Sequence, residues 1–149
     1  LKLQPKKGRL KHMSKTAVVY WSGTGNTQQM AEAIARAADA QLFTSDDFKA
    51  DLLKDFDAVA FGCPSMGAEE LEDSSFEPMF EGCKPHLTGK RLALFGSYDW
   101  GDGEWMRTWQ EVCEGLGAVM VREGLICNLE PEEEDLKACE ALGQALAQA

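Results

Sequence analysis

Short apolar runs rich in β-branched and aromatic residues alternate with helix-period segments along this chain, and that alternation leaves few architectures open. Residues 16–21 read as a strand, and Asn26–Ala38 as a helix with Met30, Ile34 and Ala37/Ala38 on one face. Gln41–Thr44 reads as a second strand, and Phe48, Leu52 and Phe56 predict a brief helix. Residues 57–62 form a third strand, and Phe76, Met79 and Phe80 predict a short helix. Residues 91–96 form a fourth strand. Trp105, Trp109, Val112 and Leu116 then recur at i, i+4, i+7 and i+11, the period of a helix. Residues 118–121 form a fifth strand that resumes at 125–127. Pro131 with Glu132, Glu133 and Glu134 opens a last helix, with acids at its positive dipole end; Leu136, Cys139, Leu142 and Leu146 continue its face. Five β/α units in strict alternation imply a parallel sheet with helices on both faces. Ligands of such sheets sit beyond the C-terminal strand ends.

The 149 residues make one domain the expectation. No apolar run approaches the roughly 20 residues of a membrane span, and no apolar stretch follows the basic start as in a signal peptide. Five cysteines (Cys63, Cys83, Cys113, Cys127, Cys139) are scattered and never at C-x-x-C spacing. That pattern argues against a disulfide framework or a zinc site and for a cytoplasmic setting. The net charge is −10, yet residues 1–13 hold five basic residues and no acid, so residues 14–149 carry −15. Such a surface repels nucleic acid and anionic membranes and suits a cationic partner. The basic lead contains Pro5 and Gly8 and ends His12-Met13-Ser14. It reads as a tag or vector-derived lead of residues 1–13, with the natural start at Met13 and a single domain over 14–149.

The first strand runs into Ser22-Gly23-Thr24-Gly25-Asn26-Thr27, and a helix follows at once. Glycines let backbone approach an anion closely, and a helix start supplies free N–H groups and a positive dipole end. A Walker loop needs Gly-Lys-Ser/Thr, and no lysine is here. A dinucleotide fingerprint needs a third glycine, and position 28 is Gln. A receiver domain needs an Asp ending the third strand, which ends Phe61-Gly62-Cys63. A plain Gly/Ser turn is the bland alternative. Four hydroxyl or amide side chains in six residues favour a phosphate loop without cations.

Two further loops open at Cys63-Pro64-Ser65-Met66-Gly67-Ala68-Glu69 and at Ser97-Tyr98-Asp99-Trp100-Gly101. Singly, such a Met or Trp is more often packing. Taken with the phosphate loop, from Tyr20-Trp21 onward, the three segments resemble the flavodoxins, in particular the short-chain group of anaerobic bacteria. The likeness runs from about Lys15 to the C-terminus. It implies a flavodoxin-like three-layer α/β sandwich, a five-stranded parallel sheet of order 2-1-3-4-5, and one noncovalent FMN. By the resemblance, residues 22–27 hold the 5′-phosphate, and Pro64, Ser65, Met66, Gly67, Ala68 and Glu69 border the ring with Ser97, Tyr98, Asp99, Trp100 and Gly101. Met66 covers the inner ring face and Trp100 the outer. The Gly67 carbonyl accepts from N5–H, the Glu69 carboxylate accepts from N3–H, and backbone near Asp99 and Gly101 reaches O2. Three departures stand out. Ala68 replaces a polar residue or glycine, Asp99 replaces a glycine, and the stretch between the first helix and third strand is short.

The implied function is a low-potential one-electron carrier, without a substrate of its own, cycling mainly between semiquinone and hydroquinone. With no lysine or arginine at the phosphate, the last electron enters a negative field. A fixed charge about 7 Å away costs roughly 2 kcal/mol at an effective dielectric near 20, or about 100 mV. The implied partners are redox enzymes with basic docking faces, of the pyruvate- or NADPH-dependent kind. Glu69, Glu70, Glu72, Asp73, Asp99, Asp102 and Glu104 would form the acidic rim of a monomer. An FMN-dependent oxidoreductase resembling quinone reductases is the alternative, but those carry longer loops over the flavin, and this chain has no spare length for a lid. A cofactor-free module using only the phosphate loop is a third reading.

Overall fold

The computed structural model of the protein describes residues 15–148. The basic lead and its expected boundary at Met13 lie outside the described residues. Among the described residues six strands and four α-helices follow one another: β1 (Thr16–Tyr20), α1 (Asn26–Ala38), β2 (Gln41–Thr44), β3 (Ala58–Gly62), α2 (Phe76–Cys83), β4 (Arg91–Tyr98), α3 (Glu104–Gly115), β5 (Val119–Met120), β6 (Leu125–Asn128) and α4 (Glu133–Gln148). Every strand pairing is parallel, in the order β2-β1-β3-β4-β5, with β6 also on β4. This is the 2-1-3-4-5 sheet, with its fifth position split in two. Arg91 and Leu92 pair with Val119 and Met120, and residues from Phe95 onward pair with β6. Between them the chain leaves the ladder, and the Gly124 N–H donates to Gln110 Oε1 at 2.8 Å instead.

Period-2 alternation sends neighbouring residues of each strand to opposite layers. Val19, Phe61 and Leu94 pack under α2 and α3 with Phe76, Phe80 and Trp109. Phe61 and Phe80 meet edge to face with centroids 5.3 Å apart. Val18, Ala60 and Phe95 pack on the other face with Met30 and Ile34 of α1 and Leu142 and Leu146 of α4. Both faces are covered, so the strands read as continuous apolar runs. One sheet edge is β2, four residues long; the other is split between β5, two residues, and β6, four.

Two expected helices differ. Phe48, Leu52 and Phe56 do not lie on a helix face; the segment is two 3₁₀ pieces, Ser45–Asp47 and Ala50–Asp55. Phe48 and Lys49 between them are extended, and Phe48, Leu53 and Phe56 are the buried apolar residues. Phe48 is drawn onto Phe43 and Phe61 across the sheet, at centroid distances of 5.1 and 6.4 Å, which a continuous helix would not reach. In α3 the buried residues are Trp105, Met106, Trp109 and Cys113, while Val112 is exposed. The buried face centres on Trp109 and Cys113, and the Trp105 indole N–H, at its edge, donates to the Cys63 carbonyl at 3.2 Å. No helix among the described residues is long and apolar enough to cross a membrane.

Candidate cofactor cleft

The C-terminal ends of β1, β3 and β4 open into one cleft. Trp21, Gly23, Thr24 and Asn26 line it from the first loop, and Pro64, Ser65 and Met66 from the third. Ser97, Tyr98 and Asp99 line it from the end of β4, and Leu129 from the segment after β6. Ser97 and Tyr98 are the last residues of β4 itself, two residues beyond the expected end of that strand.

The first loop is organised by its own hydroxyls. Gly25 caps α1 with φ +97°, and no acid lies in the first helical turn. Ser22 Oγ accepts from the N–H groups of Gly25 (3.1 Å) and Gln28 (3.2 Å). Both lone pairs are then occupied, so the Ser22 hydroxyl can only donate. Thr24 Oγ1 accepts from the Asn26 N–H at 3.4 Å. Thr27 is buried behind the loop and absent from the cleft wall; its Oγ1 lies 2.9 Å from Ser97 Oγ. Gly23, Thr24 and Asn26 therefore face the cleft, while Ser22, Gly25 and Thr27 hold the loop in shape.

The third loop is a tight hairpin. Met66 and Glu70 exchange two backbone hydrogen bonds of 2.8 Å, with Gly67 and Glu69 both in left-handed backbone at φ +50° and +56°. Gly67 and Ala68 are exposed at its tip. One end is tied by the Ser65 N–H to the Ser97 carbonyl at 3.0 Å. The other end is tied by Glu72, which is buried rather than part of a solvated acidic rim. Its carboxylate accepts from the N–H groups of Ser74 (2.8 Å), Ser75 (2.9 Å) and Phe76 (2.7 Å) and from the Ser74 hydroxyl, capping α2. Desolvation raises the Glu72 pKa, but those four donors together outweigh it and hold the carboxyl below its ordinary value.

In the fourth loop Trp100 is 62% exposed; it follows Asp99 of the cleft wall but does not itself line the cleft. Gly101 has φ +90°, and Asp99 is absent from the left-handed residues, so Asp replaces glycine there without backbone strain. Glu69 does not line the cleft; its Oε1 accepts from the Trp105 N–H at 3.4 Å, at the start of α3. Its carboxylate lies within 4.8 Å of those of Asp102 and Glu104, which are exposed. Trp21 and Leu129 are the wall residues that sequence reasoning missed. Trp21 reads as the end of a strand. Leu129 gives no signal, since it holds φ +60° while 52% exposed. All five cysteines are buried and free. Burial pushes the thiols of Cys63, Cys113, Cys127 and Cys139 up to about 12 and that of Cys83 up to about 11.

The family model described as Flavodoxin matches residues 18–143. The chain belongs to the flavodoxin family. It is 42% identical over 137 residues to the flavodoxin of Megasphaera elsdenii, covering 89% of this chain and 98% of that one. It is 44% identical over 135 residues to the flavodoxin of Clostridium beijerinckii, covering 87% and 97%. The solution structure of two-electron reduced Megasphaera elsdenii flavodoxin superposes with a TM-score of 0.80 at 40% identity, covering 90% of this chain and 99% of that one. A flavodoxin from the domain Archaea gives 0.81 at 30% identity, covering 90% and 96%. Flavodoxins are FMN-binding electron-transfer proteins rather than enzymes, and the oxidoreductase alternative is not favoured.

Proposed function

We propose that this flavodoxin carries one electron at a time at low potential, with FMN held across the three loops at the C-terminal edge of the sheet. The observation that carries the reading is the convergence of a cation-free, donor-rich first loop, Met66 and the Ser97–Asp99 segment on one cleft at a helix N-terminus. When bound, FMN supplies two separate one-electron steps. The chain's own residues bind, cover and tune it.

Ser22, Thr24, Asn26 and the first N–H groups of α1 would hold the phosphate, neutral donors taking the place of cations. Met66 and Trp100 would cover the ring faces. Gly67, already left-handed and unobstructed, would turn its carbonyl toward the ring edge with little strain. Glu69, now resting on the α3 start, would accept from the ring N–H after a change of rotamer. Trp21 and Leu129 would close the sides. The three loops contain no lysine or arginine, so each added negative charge meets a negative field.

The exposed acids Glu70, Asp73, Asp99, Asp102 and Glu104 surround this edge and suit a basic docking face on partner oxidoreductases, of the pyruvate- or NADPH-dependent kind. Five free, buried thiols fit a reducing cytoplasm, and the short edge strands fit a monomer. Absorbance during stepwise dithionite titration tests the function. A one-electron carrier shows an intermediate spectrum that rises and falls. Direct bleaching from oxidised to fully reduced flavin would point to a two-electron oxidoreductase, and absence of any flavin band would sink the cofactor assignment.

A further inference from the structure

Thr27 and Ser97 are 70 residues apart in sequence, and their hydroxyl oxygens lie 2.9 Å from one another. Thr27 Oγ1 also accepts from the Ser97 N–H at 3.3 Å. The residues are 1% and 4% exposed, so neither hydroxyl exchanges partners with bulk water. Two hydroxyls carry two hydrogens, and the bond between them uses one. Among the described residues neither oxygen makes any other hydrogen bond. One O–H is therefore left over in a buried place, a costly arrangement unless an acceptor arrives. Ser97 lines the cleft, beside Thr24 and Asn26 of the first loop. The Ser97 carbonyl meanwhile accepts from the Ser65 N–H at 3.0 Å, so the pair joins all three loops.

We infer that Thr27 and Ser97 act as one unit, a coupled hydroxyl pair that presents a single oriented hydrogen to the phosphoryl oxygens of the ligand. Neither hydroxyl is an independent ligand group. Each fixes the other's rotor, so removing either one frees the survivor to turn away. The inference rests on the reading that the cleft takes FMN by its phosphate. It goes beyond that reading in making Ser97, at the end of β4, part of the phosphate recognition that the first loop begins.

The test is a double-mutant cycle. The full chain, freed of flavin, is titrated calorimetrically with FMN and with riboflavin, as wild type, Ser97→Ala, Thr27→Val and the double variant. Each single change is expected to weaken FMN about 10-fold, to leave riboflavin within about twofold, and to add little when combined. Thr27→Ser keeps the hydroxyl and is expected to bind FMN like the wild type. It reports on the pair even where Thr27→Val or Ser97→Ala unfolds. Additive losses, equal losses for both ligands, or a tenfold loss in Thr27→Ser would overturn the coupled pair. If the wild type itself binds FMN no better than riboflavin, the phosphate reading fails, and the pair's role falls with it.

Discussion

The Glu69 carboxylate occupies the space that a Cβ on Gly101 would need: that atom would lie 2.7 Å from Glu69 Cδ. The hairpin of the third loop thus closes against the fourth at a residue without a side chain, and at φ +90° that residue is also in left-handed backbone. Gly101→Ala is expected to lower stability by about 1–2 kcal/mol from the backbone alone, since L residues resist that region. Urea unfolding followed by circular dichroism reads this. A second substitution, Glu69→Ala, should recover only the steric part of the loss. Equal stability of Gly101→Ala and wild type would contradict the close approach.

Thr24 and Asn26 face the cleft, whereas Ser22 also ties the loop together and Thr27 is paired with Ser97, so the first two are the cleaner probes. Thr24→Val and Asn26→Ala are each expected to weaken FMN by about 1.5–3 kcal/mol, the scale of a hydrogen bond to a charged group. Riboflavin lacks the phosphate and should bind nearly unchanged. Fluorescence quenching titrations compare the two ligands, and parallel losses would place the phosphate elsewhere.

Glu72 makes stability depend on acid. Its folded pKa lies below its unfolded value, so its contribution is complete above the ordinary carboxylate range. The contribution is lost as pH falls through the folded pKa, where the native carboxylate takes up its proton. Glu72→Gln is expected to cost about 1 kcal/mol at pH 7, typical of a lost helix cap, and to flatten the fall of the urea midpoint between neutral pH and pH 3. An unchanged pH profile in the variant would remove Glu72 as the anchor of α2.

The cysteines are packing groups. With thiols pushed up to about 11 or 12 by burial, essentially no thiolate exists at pH 8 in the folded protein. Ellman's reagent should find few fast-reacting thiols in the native chain and all five in denaturant. Exchanging every cysteine for Ala or Ser should lower stability and leave the flavin couples unmoved.

Asp99 lies on the cleft wall and is exposed. Asp99→Asn keeps its shape and removes a charge from the cleft wall, which in the proposed placement of FMN would flank the ring's N1–O2 edge. It is expected to raise the second one-electron potential by tens of millivolts and hardly to move the first. The difference should shrink with added salt. Spectroelectrochemistry at low ionic strength gives both potentials, and an unmoved second couple would show that solvent screens the carboxylate fully.

Where order was legible in the sequence, local and global preferences agreed. Asn26–Ala38 is alanine-rich with a glycine before it, so its limits read directly; the β/α alternation carried the parallel, two-faced sheet, and the flavodoxin resemblance carried its strand order. The segment 45–55 did not read, because Phe48 and Phe56 answer to Phe43 and Phe61 across the sheet rather than to helical spacing. Glu72 sits in a run that looks like solvated acid, Glu72-Asp73-Ser74, and only the folded start of α2 makes it a buried cap. The donors of the first loop were visible as residue types. Which of them face the cleft depends on Ser97, which no local pattern links to Thr27.

The edges of the sheet are short, four residues in β2 on one side and, on the other, two in β5 and four in β6 with a break between Met120 and Leu125. An unpaired edge invites another chain to add a strand, and a short, interrupted one offers too few hydrogen bonds to hold it. Self-repulsion from the −15 carried by residues 14–149 opposes the same contact. A carrier that must meet partners often, and release them quickly, can thus accumulate to high concentration without its parallel sheet seeding aggregates.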